Sequence, residues 1–566
     1  MKRLLFLILS IIPTIVSAQN RYDVVIDELM VDPSPQLGLP NAEWLEIKNR
    51  SSSPINLQNW RIVTSSTQSG LLPTYVLKPD SFLIICSPSA MSSLAAFGSV
   101  VTVSSFPALD NDGQVISLKA ASGTTIHAVG YSSGWYRNNL KKQGGWTLEM
   151  IDTDRPCAGI NNWRASENLS GGTPGIKNSV ESINTDNAGP IFQRTFTVDD
   201  TTIILVFDES LDSLRATNRQ NYSIDGGIIL KTILPLAPMF DRVRVTTTSS
   251  LTVNTVYDVA VMNVADCMNN ISSVQHARLG LPGDAIAGHW VVNEILFNPR
   301  ANTNDYIEFY NNGPGILDAA NLYIANRNAN GILSSIKVLT AEPFLIFPGD
   351  HIVVTEDLAS LQLNYLVKHP GNVIEFSLPS FPDDEGAVVT LNRNGEVVDE
   401  VKYKDDWHFQ LLTSAEGVAL ERLDPSLPSQ NSANWHSAAS TAGYGTPTYK
   451  NSQLNRLPSP SIMVEAIPKV FSPDNDGIHD VATLQYKMEQ PGYVANVIIF
   501  DAAGRPVRRL VNNNILGLEG YWNWDGLDDK GAKLQLGPYI IYTEIFHTSG
   551  KTRAFKNTVV LARRLK

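Results

Sequence analysis

The chain is poor in charge, in cysteine and in long apolar runs, and each shortage excludes something. Only 18% of its 566 residues are Asp, Glu, Lys or Arg, below the roughly 25% usual for soluble domains, so its surfaces are largely polar and uncharged. Basic residues are outnumbered, 44 against 56, for a net charge of −12. A nucleic-acid partner needs a concentrated basic surface and is disfavoured; the acidity fits solubility, or the holding of divalent cations. Three cysteines, Cys86, Cys157 and Cys267, are too few for a disulfide-stapled scaffold, and none lies in a CxxC or Cys/His metal spacing. A bridge between Cys86 and Cys157 is one expectation, because both fall in the first segment; three free structural thiols is the other. The nine histidines form no HExxH. A GxSxG elbow, a Walker loop and a strand–helix GxGxxG are also missing, which removes the usual zinc, serine-hydrolase and nucleotide signatures. After the N-terminus no stretch is apolar enough for a transmembrane helix. Leu4–Val16, behind Lys2 and Arg3 and followed by Ser17-Ala18, is too short to span a bilayer comfortably and reads as a secretory signal over residues 1–18. No cysteine sits at the cleavage point, so a lipoprotein anchor is not expected.

What is present is turn-rich and repetitive. Gly 38 and Pro 32 punctuate short apolar runs, which points to all-β modules. Val25-Ile26-Asp27-Glu28-Leu29 and Glu43–Asn49 return as Val291–Ile295 and Asp305–Asn311, with Glu308 following Glu46 by 262 positions. Trp146–Asp152 returns as Val418–Asp424, Asn162-Trp163 as Asn434-Trp435, and Gly172-Thr173-Pro174-Gly175 as Gly445-Thr446-Pro447-Thr448. Ordered agreement at several points is the mark of a duplicated domain. Glu43–Lys48 alternates, Leu45 and Ile47 against Trp44, Glu46 and Lys48, as a half-buried strand would. Ser122-Gly123 and Asn394-Gly395, between apolar runs, read as hairpin turns. The fold class expected is all-β, a string of Ig-like β-sandwich domains.

The segments Ile26–Met30, Glu43–Asn49, Leu57-Gln58-Asn59-Trp60 and Gly172–Gly175 resemble the lamin tail domain, an Ig-like sandwich also found in exported bacterial proteins. The second copy matches at Asn293-Glu294-Ile295, Tyr306–Asn311 and Gly445-Thr446-Pro447; it departs at Tyr323, where the first has Trp60, and at Thr448, where the first ends in Gly. Between the copies, Asp199–Asp208, Asn218–Tyr222 and Tyr257–Val264 with Asp266 and Asn270 are similar to bacterial Ig-like domains of the S-layer type. Phe471–Gly477, Ile499–Arg505, Trp524–Gly531 and Leu536–Tyr539 resemble the Ig-like domain of the flagellar hook-capping protein, versions of which end many exported proteins. Lys556–Lys566 loosely resembles a type IX sorting tail. These resemblances imply lamin-tail-like sandwiches over 19–180 and 284–450, an Ig-like domain over 181–283, a linker over 451–461 and a hook-cap-like domain over 462–566.

Candidate sites are few. Asp474, Asp476 and Asp480, around Gly477, place oxygen donors as the first half of a calcium loop does, without a glutamate at the twelfth position; the competing reading is an Asx-rich turn opening a strand. Asp110-Asn111-Asp112-Gly113 reads as such a turn. Glu46 and Glu308 lie beside aromatics on one strand face, suited to acid–base work or glycan contact, but with no partner acid recurring near either they read as packing and surface solvation. Trp163, Trp435 and Trp524 read as core anchors. No catalytic residue and no cofactor other than calcium is expected. The function that follows is a non-catalytic exported surface or envelope protein for adhesion, binding or structural display, with a protein or glycan as extracellular ligand. The alternatives are an accessory subunit of an exported nuclease or phosphatase, and a hydrolase with carboxylates at a module junction. Extracellular or outer-surface location is expected, with the periplasm as alternative.

Overall fold

The computed structural model describes residues 19–455 and 461–563; the leader expected at 1–18, residues 456–460 of the expected linker, and the last three residues of the sorting-like tail lie outside the described residues. The chain is predominantly β and forms a succession of sandwich-like domains. Two compact units emerge, residues 1–251 with 257–279, and 252–256 with 280–566.

In the first unit, a six-stranded sheet runs in the order Trp163–Ala165, Leu148–Met150, Val24–Met30, Trp44–Asn49, Phe82–Cys86, Val100–Thr102. A three-stranded sheet, Arg61–Thr64, Gly113–Lys119 and Thr125–Ser132, belongs to the same sandwich. Leu45 and Ile47 join the core with Trp60, Ile116, Leu118 and Trp163. The half-buried strand expected at Glu43–Lys48 is instead, as Trp44–Asn49, buried on both faces. The reason is a second apolar layer: Met30, Trp44, Ile84 and Cys86 pack beneath Ala90 and Leu94 of a short helical segment. A four-stranded and a three-stranded sheet over Phe192–Leu279 complete the unit.

The expected choice for the cysteines is overturned. Cys157 is bonded to Cys267, with Cα atoms 6.0 Å apart, and Cys86 is the free, buried one. Cys86 ends a central strand, where burial pushes its thiol up to about 11; Cys157 lies in a loop that meets the next module. Arg21 reinforces this junction, donating to the carbonyls of Leu211 and Met239, each at 3.2 Å.

The second unit contains a six-stranded sheet with the same pattern: Val373–Glu375, His351–Thr355, Tyr306–Asn311, Trp290–Leu296, Leu420–Arg422, Trp435–Ser437. The registers coincide. Glu28 faces Glu46 as Glu294 faces Glu308, and each pairing slips by one residue, at Asp27 and Asn293 respectively. The helix Leu358–Asn364, capped by the Asp357 side chain accepting from the Ser360 N–H at 2.9 Å, helps cover the outer face. Leu361 packs there with Tyr306 and Tyr365. The last sandwich pairs Met463–Ile467, Ala482–Lys487 and Glu519–Trp524 against a five-stranded sheet carrying the hairpin Gly537–His547/Thr552–Leu561. Trp163, Trp435 and Trp524 are core anchors, each at most 3% exposed. Both Asn394-Gly395 and Ser122-Gly123 turn with glycine at positive φ, 78° and 86°.

Candidate functional site

The chemistry-bearing feature of the fold is a row of three carboxylates across each six-stranded sheet. Glu28 stands opposite Glu46 on one neighbouring strand and Glu149 on the other; Glu294 stands likewise between Glu308 and Glu421. All six are fully buried. Surface solvation of Glu46 and Glu308 is therefore corrected, and so is the absence of a recurring partner acid. The signal was available in the repeat, since Glu28 and Glu149 recur as Glu294 and Glu421.

The carboxylates hold the segment that ends each copy. In the first, Glu28 Oε1 accepts from the Thr173 N–H and the Thr147 hydroxyl, each at 2.7 Å. Glu149 accepts from the Thr173 hydroxyl at 2.9 Å, the Ser179 hydroxyl at 2.7 Å and the Val180 N–H at 3.1 Å, while Glu46 accepts from the Gly175 N–H. In the second, Thr446 donates its N–H to Glu294 at 2.8 Å; its hydroxyl lies 2.7 Å from Glu294 and 2.9 Å from Glu421. Glu421 also accepts from the Gln453 N–H at 2.8 Å, and Glu308 from the Thr448 N–H at 2.7 Å. Asn451 and Gln453, read from the sequence as the start of a linker, are thus buried parts of this strap. The Gly-Thr-Pro sequence follows from the fit: a Cβ on Gly172 would come within 2.7 Å of Glu28 Oε1, and one on Gly445 within 2.6 Å of the Tyr306 oxygen.

The copies differ in how completely the acids are satisfied. Asp27 Oδ1, Glu28 Oε2 and Glu46 Oε1 are buried without a hydrogen-bond partner. In the second copy Asn293 replaces Asp27 and donates to Glu308 at 2.7 Å, Tyr306 stands at the Trp44 position and donates to Glu294 at 2.6 Å, and His351 stands at the Phe82 position with Nδ1 2.9 Å from Glu308. Burial pushes the Asp27 carboxyl up to about 7. Glu28 and Glu46 are also raised, by burial first and then by neighbouring acids. Burial likewise raises Glu294, and Glu421 to about 7. The upward direction is shared by both rows, because adjacent buried anions repel and protonation relieves that repulsion.

Asp474, Asp476 and Asp480 do come together, each offering an oxygen within 4.8 Å of the others. All-oxygen donors suit a hard cation, and two of the three carboxylates also brace the loop. Asp480 accepts from the N–H groups of Asn475 at 2.7 Å and Gly477 at 2.9 Å, and Asp476 from that of Ile478 at 2.8 Å. Asp110–Gly113 is a turn before the strand Gly113–Lys119. The grouping of Cys157 with Glu209 and Asp266 offers no free thiolate, because that sulfur is in the disulfide.

Residues 17–133 match the Lamin Tail Domain family. The lamin-tail match stops short of Glu149 and of the strap that the carboxylates bind. The chain matches no curated protein sequence. Among solved structures, a DUF4876 family protein from Bacteroides thetaiotaomicron is 12% identical over 37% of this chain and 84% of its own, with a TM-score of 0.18. The S-layer protein SbsC, as residues 31–844, is 13% identical over 66% of this chain, with a TM-score of 0.16. A Ca2+-stabilized adhesin by which an Antarctic bacterium binds ice is 9% identical over 97% of this chain and all of its own, with a TM-score of 0.12. The chain spans about half the length of the S-layer structures it matches, 44% to 55%. Among the described residues no helix is long and apolar enough to cross a membrane.

Proposed function

We propose that this chain is an exported, non-catalytic bacterial surface protein that binds an extracellular ligand through grooves and loops on a rigid β scaffold. The observation that carries the reading is the Cys157–Cys267 bond, which ties residues 110 positions apart. Such bonds persist in oxidising compartments and are rare in the cytosol; the apolar leader-like run at the N-terminus agrees. The buried carboxylates support a structural role for the acids, because all six are fully buried and each row is hydrogen-bonded to its strap. In this reading residues 284–450 are a second lamin-tail-like sandwich, residues 181–283 an Ig-like spacer, and residues 462–566 a hook-cap-like ending suited to type IX export.

Fractionation of the tagged protein, with protease treatment of intact cells and pull-down mass spectrometry, tests this. The expected result is a surface-exposed, protease-accessible chain that contains a single free thiol when unfolded without reductant. A cytoplasmic, fully reduced chain, or hydrolytic activity in the purified protein, would overturn it.

A further inference from the structure

A groove of 380 Å³ runs between the strap of the second six-stranded sheet and the strand Glu519–Trp524 of the last sandwich. We propose that it binds an anionic polysaccharide, which deepens the binding role above by naming the ligand class. Its size is that of ordinary ligand sites.

The walls are preformed. On one side the strap is fixed from beneath by Glu294 and Glu421 through Thr446 and Ser452. On the other, Glu519–Trp524 pairs along its length with Ala482–Lys487. Hydrogen bonds fasten the sides together: the Leu518 N–H to the Ser452 carbonyl at 3.0 Å, the Ser440 hydroxyl to the Ile515 carbonyl at 2.8 Å, and Gln453 Nε2 to the Leu516 carbonyl at 3.1 Å. A rigid groove loses little entropy when a ligand enters it.

The lining selects the ligand. Tyr521 is 61% exposed on one wall, and Tyr449 is half-buried on the other. The exposed Tyr521 ring beside a polar groove suits the apolar C–H face of a sugar ring, while the Tyr449 ring carries Lys368. Lys368 Nζ lies 3.9 Å above the Tyr449 ring, and no carboxylate among the described residues forms an ion pair with it. Lys450 makes only a loose pair with Glu519, at 3.9 Å and with both side chains more than 60% exposed. Two ammonium groups against one carboxylate give the groove a positive balance on a chain of net charge −12. Glu519 supplies the acceptor that sugar hydroxyls need, whereas a polyglutamate chain has no hydroxyls to offer it and no ring to lay on Tyr521. Lys368 and Lys450 provide partners for a sugar's carboxylate or sulfate.

Binding of the full mature chain to polygalacturonate and dextran sulfate, measured by calorimetry beside neutral dextran and polyglutamate, tests the assignment. At least one of the two anionic polysaccharides is expected to bind in a salt-sensitive manner, with dextran and polyglutamate much weaker. Tyr521→Ala and Lys368→Ala should each weaken binding by about tenfold or more, while Tyr521→Phe retains most of it and all three variants keep the parent's melting temperature. Equal binding of dextran or polyglutamate, binding untouched by both alanine variants, or no binding of either anionic polysaccharide would overturn the proposal. Surface location is read separately on cells, so a chain that is on the surface but blind to these polymers sinks only this inference.

Discussion

The first and second six-stranded sheets bury the same row of three glutamates in the same register, yet the second surrounds them with donors and the first leaves oxygens unpaired. Three substitutions make the difference. Asn293, Tyr306 and His351 bring polar hydrogens to the row, where Asp27, Trp44 and Phe82 add another acid and two groups that do not hydrogen-bond to it. The shared part, carboxylate to strap, closes the fold in both. The unshared part sets how charge is tolerated: burial pushes carboxyls in both rows toward holding protons, and the second copy adds hydrogen-bond donors that the first lacks.

Removing the middle-strand acid breaks this comparison most directly. Glu308→Ala strands three buried or half-buried donors, Asn293, His351 and the Thr448 N–H, and should destabilise its unit by about 3–5 kcal/mol. Glu46→Ala strands only the Gly175 N–H and relieves repulsion with Glu28, so about 1–2 kcal/mol is expected. Hydrogen exchange on the full chain reads each unit separately; equal losses would refute the difference.

Asp27→Asn should move the first copy toward the second. With an ordinary carboxyl near 3.8 and a folded value of about 7, the native state holds a proton that the unfolded chain has released. Stability from this group is therefore present below its unfolded value and lost as pH rises through about 7. The variant should flatten that decline and, at pH 8, be more stable than the parent by on the order of 2–3 kcal/mol. A variant equally or less stable at pH 8 in pH-dependent denaturant titrations would show that Asp27 ionises freely.

The smallest effect is expected at Thr448, which replaces Gly175 yet keeps its positive φ, 72° against 80°. A β-branched residue there costs about 1–2 kcal/mol, but the Thr448 hydroxyl accepts from the His369 N–H at 2.9 Å, a bond worth about 1 kcal/mol. Thr448→Gly should consequently change the melting temperature by no more than a few degrees. A large loss would make the hydroxyl more important than the backbone.

Much of the fold was legible locally. The alternation in Glu43–Lys48 placed Leu45 and Ile47 on one face, and Asn394-Gly395 announced a hairpin. What misled was the other face: Trp44 and Glu46 looked half-exposed because alternation reports one core, and the second layer comes from the helical segment near Leu94 and from a strap more than 120 positions away. The glutamates were all inside the repeated segments, but a carboxylate on a strand reads as solvated until its cover is known. The cysteine pairing was hidden for a related reason: a shared segment made Cys86 with Cys157 a possible pair beside three free thiols, whereas an interior strand holds Cys86 inside its own sandwich and Cys157 meets Cys267 across sheets. Lys368, Tyr449 and Tyr521 carried no sequence signal, since three distant segments supply the groove.

The sequence by itself determined the β class, the repeated strand register and the turns, because side-chain alternation and backbone preference act over a few residues. Only the tertiary structure decided which acids are buried, which cysteines meet and where a groove opens, because desolvation, disulfide formation and cavity shape depend on what distant segments place around each group.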